Sequence, residues 1–202
     1  MGRRVFILSP ASCRGRRAAQ LLSPRATTAL AEKLRTAEGA PLGDVFAFCS
    51  SLYFRGKLTY ARHFAAPGDI HVITPTAGLQ SPDVLVSRAA ILEFAGGDID
   101  VANARYREGL ERSASALVQA IGAACDVVLL GSIASPKYVD VLGAIFGERL
   151  RFPADFVGRG DMSRGGLLLR KASEGVELDY VPVSGAIRHG KRPPRLPRAP
   201  RR

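Results

Sequence analysis

The sequence has few of the residues that build disulfide scaffolds or metal centres. It contains three cysteines, Cys13, Cys49 and Cys125, which lie far apart. No Cys-x-x-Cys pair and no cysteine–histidine cluster occurs, so neither a disulfide framework nor a zinc site is indicated. We therefore expect reduced thiols, as in a cytoplasmic protein, and no metal or other cofactor.

Long apolar runs are absent as well. No stretch approaches the roughly 20 residues that a bilayer-spanning helix needs. Residues 1–8 are basic and then apolar, as at the start of a signal peptide, but Ser9 and Pro10 end the apolar run and Arg14 follows closely. This run is too short for a signal peptide. It instead predicts a first β-strand. Without a membrane-spanning run or a signal peptide, we expect a cytoplasmic protein that does not associate with membranes.

Acidic residues are missing from the C-terminal segment. Residues 188–202 contain seven basic residues and no acidic one. Without these seven charges the formal net charge falls from +11 to +4, so the rest of the chain is only mildly basic. Repeated prolines and like charges predict an extended, disordered tail.

The basic tail has two interpretations. It is either a solubilising end without a specific partner or a segment that attracts nucleic acid or another polyanion in a salt-sensitive way. In the second case the contacts are expected from four side chains, those of Arg188, Lys191, Arg192 and Arg195.

The remaining chain, residues 1–187, predicts a single α/β domain. Its composition, with 47% hydrophobic and 23% charged residues overall, is that of ordinary globular proteins. Apolar runs typical of buried strands alternate with helical patterns. We expect strands at 5–8, 70–74, 126–130, 150–152 and 177–183, and helices at 24–37, 54–64, 101–124, 136–146 and 163–173. This alternation predicts one doubly wound, mostly parallel sheet flanked by helices, in a Rossmann-like three-layer arrangement.

Two expectations in this pattern are more specific. Ser23 and Pro24 have the residue types of an N-cap and a first helical position. The apolar run at 45–48 fits either a strand or a helix.

Three of the predicted strands run into turns of small hydroxyl residues and proline. In open parallel sheets, ligands bind outside the carboxyl ends of the strands. Hydroxyl groups and free N–H groups in such turns can hold an anion or a polar heterocycle. The candidates are Ser9, Ser12 and Arg14 after the first strand, Thr74, Thr76 and Asp83 after the second, and Gly131, Ser132, Ser135 and Lys137 after the third. The alternative is that these serines and prolines only cap helices.

A fourth candidate segment covers residues 157–166, where four glycines and two arginines precede a predicted helix. Such a loop suits contact with a phosphate or another substrate group, although it matches neither a P-loop nor a dinucleotide-binding fingerprint. The candidate side chains are Arg159, Asp161, Ser163 and Arg164. The loop is otherwise a flexible connection.

Catalytic residues are not identifiable from the sequence. The three histidines, His63, His71 and His189, have no evident partner. Cys13 lies beside Arg14, which would stabilise a thiolate. Asp98 and Asp100 could supply a carboxylate near the second turn, although both also fit as caps of the long helix. Whether the protein is an enzyme therefore stays open at this point.

Three segments of the first half resemble a known family. Residues 6–11 read Phe-Ile-Leu-Ser-Pro-Ala, residues 51–61 begin Ser-Leu-Tyr-Phe-Arg-Gly-Lys, and residues 72–83 contain Thr-Pro-Thr-Ala-Gly-Leu-Gln-Ser-Pro-Asp. Over residues 5–87 these segments resemble the YaaA-like proteins and the small domains associated with tRNA-guanine transglycosylases. The sequence departs from that pattern before Leu79 and after Asp83. The resemblance implies a role connected with nucleobases or nucleic acid.

The second half shows a shorter resemblance. Residues 128–132, Val-Leu-Leu-Gly-Ser, and 156–159, Phe-Val-Gly-Arg, are similar to segments of the uracil-DNA glycosylase superfamily. The acid that this superfamily carries just after the glycine is absent, so glycosylase activity is not expected.

The sequence leaves three functional hypotheses. The first is a protein that binds nucleic acid or a nucleobase, as an accessory to base modification or a stress response. The second is an enzyme that acts on a small nucleoside or phosphorylated substrate at the strand ends. The third is a structural or interaction protein without a ligand site.

The first hypothesis predicts a role for the tail. RNA or DNA binding, measured against salt concentration, should weaken when residues 188–202 are deleted, because the deletion removes seven cations that displace counterions from phosphates. If neither the full chain nor the truncated chain binds at any salt concentration, the hypothesis is wrong.

Overall fold

A computed structural model describes residues 3–50 and 52–194. The strands are β1 (Arg4–Leu8), β2 (Ala40–Pro41), β3 (Ile70–Thr74), β4 (Gly78–Gln80), β5 (Leu85–Val86), β6 (Asp126–Leu130), β7 (Leu150–Pro153) and β8 (Tyr180–Pro182). The α-helices are α1 (Arg16–Leu22), α2 (Ala29–Arg35), α3 (Leu42–Ser50), α4 (Leu52–Phe64), α5 (Arg88–Gly96), α6 (Ala104–Ile121), α7 (Pro136–Phe146) and α8 (Asp161–Glu174). No helix among these described residues is long and apolar enough to cross a membrane.

One six-stranded sheet, in the order β4-β3-β1-β6-β7-β8, organises the fold. The four inner strands are parallel, and β4 and β8 are antiparallel strands at its two edges. Helices flank this sheet, which confirms the predicted three-layer α/β class. The inner strands β1 and β6 are almost entirely buried, as expected of strands that are covered on both faces.

The strand order reverses at β1. This strand pairs with β3 on one side and with β6 on the other, in a register that places Ile7 beside Leu129. The chain therefore leaves β1 in one direction and later returns to its opposite side. Such a reversal opens a crevice at the carboxyl ends of the two strands, and ligands of open α/β sheets bind in that crevice.

The predicted helix at 24–37 begins later than expected. Thr28 is the N-cap of α2, and its hydroxyl accepts a hydrogen bond from the Ala31 amide. The Ser23 hydroxyl instead accepts from the Arg25 amide within a local turn. A competing hydrogen bond two residues along the chain therefore replaces the predicted cap.

The long helix α6 also has a different cap from those considered in the sequence. The Asn103 side chain accepts a hydrogen bond from the Tyr106 amide, whereas Asp100 bonds to Ala102 before the helix begins. Gly122, at φ +71°, follows the last turn. The ambiguous run at 45–48 lies inside helix α3.

The last predicted strand is shorter than its apolar pattern. It was expected at 177–183, and β8 covers only residues 180–182, antiparallel to β7. The elements α1, β2, β4, β5 and α5 have no counterpart among the predicted elements. Two of these, β2 and β5, form a separate two-stranded sheet.

Helices α4 and α8 approach each other at a pair of glycines. A Cβ on Gly56 would lie 2.6 Å from the Gly165 carbonyl oxygen, and a Cβ on Gly165 would lie 2.7 Å from the Leu52 carbonyl oxygen. Real side chains do not reach such distances, so only glycine allows this backbone contact. The contact sets the position of Lys57, the residue after Gly56, relative to the first turns of α8.

Replacement of Gly56 by alanine should separate these helices. We expect Gly56→Ala to lower the free energy of unfolding by about 1 to 2 kcal/mol, because overpacking outweighs the gain in helix propensity. Gly143→Ala in α7 is the matched control, since nothing lies within 4 Å of its added Cβ, and it should raise stability by about 0.5 to 1 kcal/mol. Urea denaturation measures both values. Equal stabilisation by the two changes would contradict the close contact.

Candidate functional site

A cavity of about 740 Å³ lies at the carboxyl ends of β1 and β6. Its volume falls within the range of small-molecule sites in proteins. Seven of the residues predicted for a ligand site line it, namely Ser9, Ser12, Arg14, Ser132, Ser135, Lys137 and Asp161. The turns after the first and third predicted strands therefore meet at one place, together with one residue of the fourth segment.

The second turn contributes less than predicted. Its residues form a hairpin that joins β3 to β4, so no helix begins there. The buried Thr74 hydroxyl donates to the Gly78 carbonyl and accepts from the Ala77 amide, which holds the turn together. Pro75 lines the cavity, but Thr74 and Thr76 do not. Asp83 lies elsewhere and forms an exposed ion pair with Arg62, at 2.7 Å.

Only part of the glycine-rich segment, residues 157–166, reaches the cavity. Asp161, the first residue of α8, reaches the cavity. The Arg159 guanidinium bonds to the Asp155 carbonyl and the Ser163 hydroxyl. Arg164 is buried and donates two hydrogen bonds to the Phe156 carbonyl. These side chains stabilise the loop behind Asp161 and do not line the cavity.

Arg14 fixes one side of the cavity. Its guanidinium donates to the carbonyl oxygens of Ala95 and Gly97 and forms an ion pair with Asp98 at 2.8 Å. Both charged side chains are more than half exposed, so the pair adds little stability. Its effect is to tie the loop after β1 to the segment after α5, which brings Asp98 and Asp100 to the cavity wall.

The third turn lies at the start of helix α7. Ser135 occupies the N-cap position and Pro136 the first helical position, as their residue types predict. The Ser135 side chain, however, makes no capping hydrogen bond, which corrects the expected capping role of its hydroxyl. Ser135 lines the cavity beside Lys137.

A buried lysine lies beneath the cavity. Lys57 is 1% exposed, and its amino group donates to both the carbonyl oxygen and the hydroxyl oxygen of Ser9, with 2.8 Å from Nζ to Oγ. The nitrogen also lies 4.4 Å from the centre of the Tyr53 ring and 4.9 Å from that of Phe54. No ion pair of Lys57 with a carboxylate exists among the residues that the structure describes.

Burial changes the acid–base behaviour of Lys57. Loss of hydration is the main cause, and it lowers the pKa of the amino group from 10.5 to about 7. Asp161 acts in the opposite direction, whereas the positive charge of Arg164 adds to the lowering of this pKa. A substantial fraction of Lys57 is therefore neutral near pH 7, and neutral lysine is a base.

Tyr138 and Gly131 complete the surroundings of Ser9. The Tyr138 hydroxyl donates to the Ser132 carbonyl at 3.0 Å and is also hydrogen-bonded to the Ser9 side chain, which opposes the rise of its pKa caused by burial. A Cβ on Gly131 would lie 2.9 Å from Ser9 Cβ and 3.0 Å from the Tyr138 oxygen. Gly131 does not line the cavity, and its missing side chain leaves the space that Ser9 and Tyr138 occupy.

Cys13 does not have the thiolate character that its position beside Arg14 predicts. A hydrogen bond with the Cys49 thiol and burial both raise the pKa of Cys13, while the same hydrogen bond lowers that of Cys49. The Arg14 guanidinium is directed toward residues 95–98 instead. This corrects the role considered for Cys13.

The described basic residues that were predicted to bind nucleic acid do not line this cavity. Arg188 pairs with Asp140 at 3.4 Å. The Lys191 backbone lies against Gly158, whose φ is +72°. Lys191 and Arg192 do not line the cavity, and Arg195 lies outside the described residues.

No metal site emerges from the described part of the chain, where no group of three or more histidine, cysteine, aspartate or glutamate side chains could hold an ion. Comparisons with protein families, with curated proteins and with solved structures find no match to this chain. The cavity is therefore the feature of this chain that points to a function.

Lys57 is absent from the residues predicted for the site, although the sequence carries a signal for it. Tyr53, Lys57 and Ala61 recur at four-residue spacing, so they share one face of α4, and all three are buried. A lysine within an apolar stripe is unusual because buried lysine is rare. Its partner, Ser9, comes from a distant strand and is not identifiable from spacing.

The low pKa of Lys57 makes the stability of the protein depend on pH. The unfolded chain keeps this proton up to about pH 10.5 and the folded chain only to about pH 7. Between these values the unfolded state binds more protons, so wild-type stability should rise with pH, by at most about 1.4 kcal/mol per pH unit from this group.

Lys57→Met removes this titration. We expect the variant to be more stable than the wild type at pH 6, by about 2 kcal/mol, and this difference to vanish above pH 7 and change sign before pH 10. Denaturant unfolding of both proteins at several pH values measures it. Lys33→Met, at an exposed position of α2, is the control and should show no such trend. A difference that is independent of pH would contradict the lowered pKa.

Proposed function

We propose that the protein binds a nucleoside-sized polar ligand, a nucleobase with its sugar or sugar phosphate, in the cavity between β1 and β6. One observation carries this proposal: the hydroxyl-rich turns after these two strands converge on a single cavity at the reversal of strand order. Ligand sites of open α/β sheets lie at this position.

The lining fits a flat polar heterocycle. Tyr53, Phe94 and Tyr138 supply aromatic surface, and Ser12, Ser132 and Ser135 supply hydroxyl groups that both donate and accept hydrogen bonds. A nucleobase needs apolar contact on its faces and hydrogen bonds at its edges, and a ribose needs hydroxyl partners. The cavity offers both kinds of contact.

The charges favour a small ligand over a long polyanion as the occupant. Arg14 and Lys137 line the cavity, but so do the carboxylates of Asp98, Asp100 and Asp161. Arg14 is held in an ion pair with Asp98, and Asp161 pairs with Arg164, so Lys137 at the first turn of α7 is the lining cation left to meet a phosphate. One phosphate matches one cation, whereas a phosphate backbone needs several. The N-terminus of α7 also favours an anion. The resemblance to families concerned with nucleobases agrees with this assignment and stays a prediction.

Thermal denaturation with a panel of nucleobases, nucleosides, nucleoside monophosphates and ribose phosphates tests the proposal. At least one member of the panel should stabilise the protein, by about 2.7 kcal/mol at a concentration of 100 Kd. Ser135→Ala should weaken its binding about fivefold, the effect of one lost hydrogen bond of about 1 kcal/mol.

Ser173→Ala is the matched control, because Ser173 is exposed on α8 and its hydroxyl donates to the Arg170 carbonyl within the same helix. The affinity of the Ser173→Ala variant for the same compound should equal that of the wild type. If no compound of the panel stabilises the folded protein, or if Ser135→Ala binds as tightly as Ser173→Ala, the proposed site is wrong.

A further inference from the structure

We propose that Ser9 is a nucleophile and Lys57 its general base, and that together they transfer an acyl group from an ester or amide ligand to water. This activity goes beyond binding, and it rests on the proposed function in that the reacting ligand occupies the same cavity. Serine–lysine pairs carry out acyl transfer on other folds, where the roles follow from geometry and not from sequence position.

The position of Ser9 meets the first requirement, access to a ligand. Ser9 follows the last residue of β1 directly, and its amide donates to the Leu130 carbonyl at 3.1 Å, so the end of the sheet fixes its backbone. It is 6% exposed and lines the cavity. Gly131 leaves room beside its hydroxyl, from which an added Cβ would lie only 3.2 Å away.

The second requirement is a base within hydrogen-bond distance of the nucleophile. Lys57 Nζ lies 2.8 Å from Ser9 Oγ, within the range for proton transfer. The amino group is fully buried between two aromatic rings and Ser9, so it is shielded from water. Such desolvation keeps a lysine neutral and able to accept a proton, and burial lowers its pKa to about 7.

A carboxylate partner would keep a buried lysine charged, because an unpaired buried charge is costly. Among the described residues no carboxylate forms an ion pair with Lys57. The charged groups that face Lys57 are Asp161 and Arg164, which pair with each other at 3.4 Å and not with Lys57. The phenols of Tyr53 and Tyr138 are neutral at pH 7, since burial raises both pKa values. The Ser9 carbonyl and the two ring faces favour the cation, and burial outweighs them and lowers the pKa of Lys57.

The reaction balances with water as the second substrate. Ser9 Oγ forms a bond to the carbonyl carbon while its proton passes to Lys57 Nζ. The tetrahedral intermediate expels the alcohol or amine, which takes that proton from Lys57. Water then attacks the acyl-Ser9 ester and gives a proton to Lys57, and Ser9 regains this proton as the carboxylic acid leaves.

A fluorophosphonate probe tests the nucleophile without knowledge of the natural ligand. The probe forms a bond between Ser9 Oγ and phosphorus with loss of fluoride, and peptide mass spectrometry locates the adduct. We expect one adduct, on Ser9, that is absent in Ser9→Ala. The rate should rise about tenfold between pH 6 and pH 8 as Lys57 loses its proton.

Matched variants separate the base from the fold. Lys57→Met should react at least about 100-fold more slowly than the wild type while it stays folded, because it has lost its general base. Lys33→Met and Ser173→Ala, at exposed positions outside the cavity, should react like the wild type. If Lys57→Met does not fold, the pH profile of the wild type still decides the role of the base.

Two results would overturn the proposal. One is the absence of an adduct on Ser9 in folded wild type at pH 8. The other is a labelling rate that changes neither with pH nor in Lys57→Met. These failures differ from failure of the proposed function: a protein that binds a nucleoside but is not labelled has the ligand site without the nucleophile. A protein that is labelled but binds no compound of the panel has the nucleophile with a different ligand.

Discussion

The contact between the Lys57 amino group and Ser9 is the interaction around which the candidate site is built. It places an ionisable nitrogen in the core, where hydration cannot stabilise its charge, and it connects helix α4 to the end of the central strand β1. The glycine pair between α4 and α8 sets the depth at which the nitrogen lies. The missing side chain of Gly131 leaves space for its acceptor. Four distant parts of the chain thus converge on one polar contact.

Two parts of the cavity around this contact, its wall and its floor, carry different kinds of side chains. Its wall carries charges of both signs, with Arg14 held against the segment after α5 and Lys137 on the first turn of α7. Its floor carries Ser9 and Tyr138, and Lys57 lies buried behind Ser9. The wall carries the groups that would orient the proposed ligand, and the floor carries the proposed nucleophile.

The architecture could be predicted from the sequence to a large extent, because buried parallel strands are continuous apolar runs. The runs at β1, β3 and β6 and the helix α7 lie where their patterns place them. Short elements such as β2, β4 and β5 could not be found, since two or three residues carry no period.

The residues of the candidate site could likewise be predicted only in part. Residues that follow long strands, such as Ser9 and Ser132, could be predicted because the carboxyl ends of parallel strands lie at one edge of the sheet. Hydroxyls that bond locally, such as Thr74, look identical in sequence but stabilise a turn. Arg164 is buried against the backbone of its own loop, which no spacing reveals. Lys57 could not be predicted without knowing which face of α4 is buried. Its partner, Ser9, lies 48 residues away in the chain, so no local spacing reveals the contact.

The two outer strands of the sheet have a consequence for how molecules of this protein meet. An edge strand offers unpaired backbone groups to any extended chain, and long, flat edges promote association and aggregation. Here β4 and β8 are each three residues long, and β8 ends in Pro182, which has no amide hydrogen to donate. Neither edge presents a template of useful length for another strand. The short antiparallel edge strands thus prevent the apolar parallel sheet of one molecule from pairing with a strand of another molecule.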